Sequence, residues 1–147
     1  MIQRIQTLYL LGSALFVCLL FILPFAEIAE NGAIYLFNFK GILLDGTLKE
    51  NGMAISFLIG IIVALHGFAI LSYKKRVLQI RVTVFSILLL LGLFGMFFFF
   101  TYYSFSDAQI SFKISLVFPL LAIILDYLAI RAIGKDEALI RSIDRIR

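Results

Sequence analysis

Four long apolar stretches fill most of this 147-residue chain, and they restrict what it can fold into more than any other feature. They run over about residues 5–25, 53–72, 82–103 and 114–132. Each is near the roughly 20 residues that, at about 1.5 Å rise per residue, cross a hydrocarbon core about 30 Å thick. No water satisfies backbone groups inside lipid, so only helices or closed barrels are stable there. Barrel strands alternate polar and apolar residues, whereas the segment from Ile87 to Phe100 is apolar on every face. The expected fold class is therefore all-α: a four-helix transmembrane bundle, with residues 1–147 forming a single integral membrane domain. A composition of 63% hydrophobic residues agrees with that class.

Lys and Arg set the expected orientation. Arg4, Lys74, Lys75, Arg76, Arg81, Arg131, Lys135, Arg141, Arg145 and Arg147 fall on one side, and only Lys40, Lys49 and Lys113 on the other. This asymmetry in short loops predicts that both termini and the second loop are cytoplasmic. Loop 26–52 and the third loop then face outward, carrying Glu27, Glu30, Asp45, Glu50 and Asp107. The basic charge is read as membrane orientation and attraction to anionic lipid, with no nucleic-acid partner. The first apolar stretch is longer than a secretory h-region and lacks a small-x-small exit at Pro24 to Ala29, so it is expected to be retained.

Catalytic signatures are missing from the sequence. Cys18 is its only thiol, which excludes an internal disulfide or a cysteine-based metal site. No phosphate-binding glycine loop, HExxH or GxSxG motif occurs. The expectation is a protein that is not an enzyme, with no cofactor and no metal.

Two segments outside the apolar stretches have surfaces to bury. In the outward loop, the run from Ala33 to Leu44 lies between Asn31-Gly32 and Asp45-Gly46, which reads as one or two short strands or a hairpin. Because a lone hairpin is marginal in water, it needs the bundle mouth, the lipid interface or a partner protein as a surface. In tail 133–147, Leu139, Ile143 and Ile146 share a face and Glu137 precedes Arg141 by four residues. This predicts an amphipathic C-terminal helix, set off by Gly134, that lies in the headgroup region or docks a partner.

Within the apolar stretches, His66 and Asp126 both fall in the inner half, at depths that agree within about one helical turn. An ionisable group at that depth is costly and marks a candidate site. Either the two meet as a buried pair for proton handling or ligand binding, or Asp126 reaches toward Arg131 or Arg81 while His66 bonds a carbonyl. Ser56, Gly60 and Ala64 recur every fourth residue, the spacing of a close helix-packing seam, with Gly92 and Gly95 as its complement. Phe97 to Phe100 cannot all face one neighbour, and Pro119 is expected to kink the fourth span.

The opening MIQRIQTLYLL, the exit LPFAE after the first span and the close RAIGKDEALIRSIDRIR together resemble an uncharacterised family of short four-span membrane proteins from Bacteroidota. The resemblance extends over the whole chain and implies four helices in a bacterial inner membrane. That family brings no activity, so no catalytic residue carries over. It does single out the terminal motifs: Gln3, Arg4, Lys135, Asp136, Glu137, Arg141, Asp144 and Arg145 form a candidate cytoplasmic docking or headgroup surface. The functional expectation is a non-enzymatic accessory or structural subunit of an inner-membrane complex, such as envelope or protein-export machinery. Its partners would be membrane lipids and integral membrane proteins. The alternative is a lipid- or quinone-binding protein, or a small transporter, built on His66 and Asp126.

Overall fold

A computed structural model describes residues 5–30, 32–103 and 108–144, with side chains to residue 138 in the last segment. The chain runs α1 (Ile5–Leu19), β1 (Ala26–Glu30), β2 (Ala33–Asn38), β3 (Gly41–Leu44), β4 (Thr47–Asn51), α2 (Met53–Leu71), α3 (Arg76–Tyr103), β5 (Gln109–Phe112) and α4 (Phe118–Asp144). The all-α expectation is therefore corrected. Four helices carry a five-stranded antiparallel sheet of order β4-β3-β2-β1-β5. Both connections at one end of the bundle enter this sheet, since β1 pairs with β2 on one side and with β5, from the α3–α4 connection, on the other.

Three helices, α2, α3 and the segment containing α4, are long and apolar enough to cross a membrane. The α1 helix is shorter, but three-residue turns carry the chain on through Leu20, Phe21 and Ile22, and the Leu23 N–H bonds back to Leu19 before Pro24 ends the donor series. At about 1.5 Å per helical residue and about 2 Å per residue in the tighter turns, α1 with this extension is about 30 Å long.

The inward positions follow a four-and-three alternation. Helix α1 buries Gln6, Leu10, Ser13 and Val17; α2 buries Ile55, Ile59, Ile62, His66 and Ala69. Helix α3 buries Gln79, Thr83, Ser86, Leu90 and Leu93, and α4 buries Pro119, Ala122, Asp126, Ala129 and Ile133. A repeat averaging 3.5 residues keeps one stripe facing the neighbours of a gently supercoiled bundle. Each of α1 and α3 packs mainly against α2 and α4, so α2 and α4 face each other across a diagonal.

The sheet closes one end of the bundle. Its inner face presents Ala26, Ile28, Tyr35, Phe37 and Ile42. The Phe37 ring lies edge-on to Phe25, at 5.2 Å between centroids, and to Phe97, at 6.1 Å, and it stacks on Phe100 at 6.2 Å. Turn chemistry fixes the strand register. Asp45 and Gly46 both have positive φ, 47° and 80°, as a two-residue type I′ hairpin turn requires. A bulge leaves Lys49 between the Ile42–Glu50 and Leu43–Leu48 pairs, where its Nζ donates to the Tyr35 hydroxyl at 3.0 Å. That bond holds the Lys49 ammonium above the usual lysine range.

Other sequence expectations change as well. Helix α4 runs through Gly134 without a break, so the tail as far as Asp144 is a continuation of the fourth helix and not a separate element. Pro119 stands in the first turn of α4, where its missing N–H costs nothing, and produces no interior kink. Ser115, expected to serve a kinked helix, instead donates to the Pro24 carbonyl and ties the exit of α1 to the entry of α4. Of the phenylalanine run, Phe97 is buried and Phe99 faces outward.

The Ser56, Gly60 and Ala64 ladder is not the tight seam of this bundle. It lies beside the buried stripe of α2, Ala64 is exposed, and a Cβ added to Gly60 meets nothing within 4 Å; Gly92 and Gly95 are equally open. Close approach occurs instead at Gly12, where an added Cβ would lie 3.2 Å from Leu125 Cδ1. Gly60→Ala is therefore expected to leave thermal stability in detergent unchanged or raise it by up to about 1 kcal/mol through helix propensity. A loss above that size would restore a packing role for the ladder.

Candidate functional site

Four inward positions at one level of the bundle are polar: Ser13 on α1, His66 on α2, Ser86 on α3 and Asp126 on α4. The layer separates two apolar clusters. One turn toward the sheet lie Val17, Ile62, Leu90 and Ala122; one turn the other way lie Leu10, Ala69, Ala129 and Val82.

His66 and Asp126, brought together across the diagonal, are 1% and 0% exposed. The His66 Nε2 stands 3.0 and 3.1 Å from the two carboxylate oxygens of Asp126 and 2.8 Å from Ser13 Oγ. Ser13 donates its own proton to the Ala122 carbonyl at 3.2 Å, leaving a lone pair toward the ring. On its other side, His66 Nδ1 lies 2.8 Å from the Ile62 carbonyl, an obligate acceptor, so Nδ1 carries a proton. Nε2 in turn faces both carboxylate oxygens of Asp126 and the Ser13 lone pair. Among the described residues His66 is the only partner of Asp126, so Asp126 does not reach Arg131 or Arg81.

A second polar level lies seven residues from the first on two helices. Gln6 precedes Ser13, and Gln79 precedes Ser86, by one heptad, and both are buried. Among the described residues neither the Gln6 Nε2 nor either amide atom of Gln79 has a hydrogen-bond partner. Sequence reasoning passed over Ser13, Ser86 and Gln79, and took Gln6 only as part of the N-terminal motif, whereas it is buried in the bundle. The signal was present as their heptad spacing, because in a segment where every face is apolar the polar residues mark the inward stripe.

The remaining candidates lie apart from this layer. Ser56 donates to the Phe39 carbonyl at 2.5 Å, tying α2 to the sheet. At the far end of the bundle the Arg76 guanidinium reaches the Asp136 carbonyl at 3.1 Å and the Glu137 carboxylate at 3.8 Å. Lys135 is exposed on α4. Gln3, Arg4 and Arg145 and the side chains of Arg141 and Asp144 lie outside the described residues. Among the described residues no group of three His, Cys, Asp or Glu side chains gathers in a form that could hold a metal ion.

The chain belongs to a family defined as a domain of unknown function (DUF4293), whose model matches residues 2–146. No curated protein and no solved structure matches it.

Proposed function

We propose that this protein is a non-catalytic structural subunit of a larger assembly in a bacterial inner membrane. In this reading it crosses the bilayer four times, α1 being completed by its terminal turns, with both termini cytoplasmic and the sheet outside. Support for the orientation comes from Lys74, Lys75, Arg76, Arg81, Arg131 and Lys135 at the end opposite the sheet, with Glu27, Glu30, Asp45 and Glu50 in or beside the sheet.

The observation that carries the structural reading is the closed accounting of the His66 layer. Both ring nitrogens, the Asp126 carboxylate and the Ser13 hydroxyl are engaged with one another or with helix carbonyls. A catalytic group would need at least one position open to substrate. Apolar surface for a partner is available outside, where Ile34, Leu36 and Leu48 are exposed on or beside the outer face of the sheet. Purifying a tagged copy from native membranes in mild detergent is expected to recover an integral membrane protein in fixed stoichiometry. Recovery of the chain alone, holding a defined quinone or other small molecule, would overturn this proposal.

One observation favours the second reading, a ligand- or proton-handling bundle. The Gln6 Nε2 and both Gln79 amide atoms, one heptad from the pair and without a hydrogen-bond partner among the described residues, are groups that water or a ligand would satisfy. In that reading His66 and Asp126 exchange protons with the cytoplasmic side.

A further inference from the structure

The end of the bundle away from the sheet carries a recess that the polar layer does not use. Where the α2–α3 connection meets the first turns of α3, Lys74, Lys75, Arg76 and Arg81 line a pocket of about 640 Å³ beside Tyr73 and Glu137. Arg76 is engaged with α4 through Glu137 and the Asp136 carbonyl, so the carboxylate at the pocket wall is already offset by a guanidinium. Lys74, Lys75 and Arg81 are exposed and add positive charge beyond that pair. Lys74 Nζ also stands 5.9 Å from the Tyr73 ring centroid, which holds the ammonium near the aromatic residue at the helix end.

An apolar groove adjoins this pocket. Val77, Ile80, Gly134 and Ala138 line a recess of about 440 Å³ between α3 and α4, with Val77, Arg81 and Glu137 common to both recesses. The space over Gly134 is open, since a Cβ there would meet nothing within 4 Å. A cationic pocket that continues into an apolar groove along the helices has the shape of one kind of molecule. Its anionic head lies at the helix end and its hydrocarbon tail follows the bundle surface. Basic pockets between helices at the cytoplasmic face recognise phospholipid head groups in this way.

We propose that this recess is a binding site for an anionic phospholipid, with the phosphate held by Lys74, Lys75 and Arg81 and an acyl chain lying in the Val77, Ile80 and Gly134 groove. It rests on the membrane-spanning part of the reading above and is independent of the protein partner. The phosphate chemistry alone would also suit a free phosphate; the groove is what selects a lipid.

Native mass spectrometry of the full chain in detergent, with phosphatidylglycerol, phosphatidylcholine or inorganic phosphate added, tests it. The wild type is expected to retain phosphatidylglycerol at least tenfold better than phosphatidylcholine. Lys75→Gln with Arg81→Gln should weaken phosphatidylglycerol about twenty-five-fold, at about fivefold for each charge near a headgroup. Gly134→Leu, which fills the groove and leaves every charge in place, should weaken it about tenfold. Equal retention of the two lipids, or retention unaffected by the charge variants, would overturn the proposal. So would inorganic phosphate binding that persists while phosphatidylglycerol is not held, which would assign the pocket to a soluble anion. Alkaline carbonate extraction separates the two failures: a chain released from membranes refutes the spanning reading, whereas a retained chain indifferent to phosphatidylglycerol refutes the lipid site alone.

Discussion

His66→Ala is expected to destabilise the protein by about 3–5 kcal/mol, the cost of removing one partner from a buried charge pair, and Asp126→Ala by about 1–2 kcal/mol. The asymmetry follows from the partners. Without the imidazole, Asp126 has no remaining partner among the described residues and must bury either a carboxylate or an unpaired carboxylic acid. Without the carboxylate, His66 keeps Nδ1–H on the Ile62 carbonyl, and the Ser13 hydroxyl, already 2.8 Å from Nε2, can turn its proton from Ala122 to the ring. Ordinary hydrogen bonds between membrane helices average about 0.6 kcal/mol, so a loss of several kcal/mol would identify a buried charge and not a routine polar contact. His66→Leu with Asp126→Leu removes both demands together and should return stability to within about 1 kcal/mol of wild type. Thermal or denaturant unfolding in one detergent measures all four proteins. Equal losses for the two single variants would contradict the partner assignment.

Gly41→Ala is expected to cost about 3 kcal/mol or more and to open the sheet to protease, a larger effect than a single methyl group usually has. Gly41 has φ of 125°, and a Cβ there would stand 2.0 Å from the Glu50 carbonyl oxygen and 2.5 Å from the Gly52 nitrogen. Those atoms are backbone and cannot swing aside. The first residue of β3 would have to leave the end of β4, and the Gly52 N–H would lose the Lys40 carbonyl it meets at 2.8 Å. Gly46→Ala provides the comparison. Gly46 has φ of 80°, but an added Cβ there meets nothing within 4 Å, so only the left-handed backbone cost of about 1–2 kcal/mol applies. Limited proteolysis of residues 26–52 alongside unfolding distinguishes the two. Similar behaviour of the two variants would mean that the β3–β4 contact does not hold the sheet.

The helices were legible because runs long and apolar enough to cross a membrane have few alternative structures. The match of 53–72 with α2 is close for that reason. The sheet was only partly legible. Asn31-Gly32 and Asp45-Gly46 marked turns, but β5 is four residues, Gln109–Phe112, between two apolar segments, and its pairing with β1 joins positions about eighty residues apart. Local patterns carry no information about such a partner. The long α4 was missed for a different reason. Gly134 and the drop in hydropathy beyond Ile133 looked like a boundary, yet a glycine costs a helix only about 1 kcal/mol, and α4 runs on to Asp144.

The polar layer was half legible. Depth along two helices placed His66 and Asp126 at one level, but depth cannot say which faces meet, and the neighbouring Arg81 and Arg131 offered Asp126 an equally simple partner. What decides it is the heptad stripe, which puts Ser13, His66, Ser86 and Asp126 inward together and leaves Arg81 and Arg131 exposed. The small-residue ladder misled because Ser56, Gly60 and Ala64 have the right spacing on the wrong face.

The most direct test of the structural reading compares tagged wild type with the His66→Leu, Asp126→Leu double variant, both purified from native membranes with their associated proteins quantified. If the pair serves to hold four helices in register within a non-catalytic subunit, the double variant will accumulate normally and bring down the same partners in the same stoichiometry. A double variant that accumulates and folds like wild type but loses its partners, or fails to support growth that the wild type supports, would contradict that account and make the pair a working site.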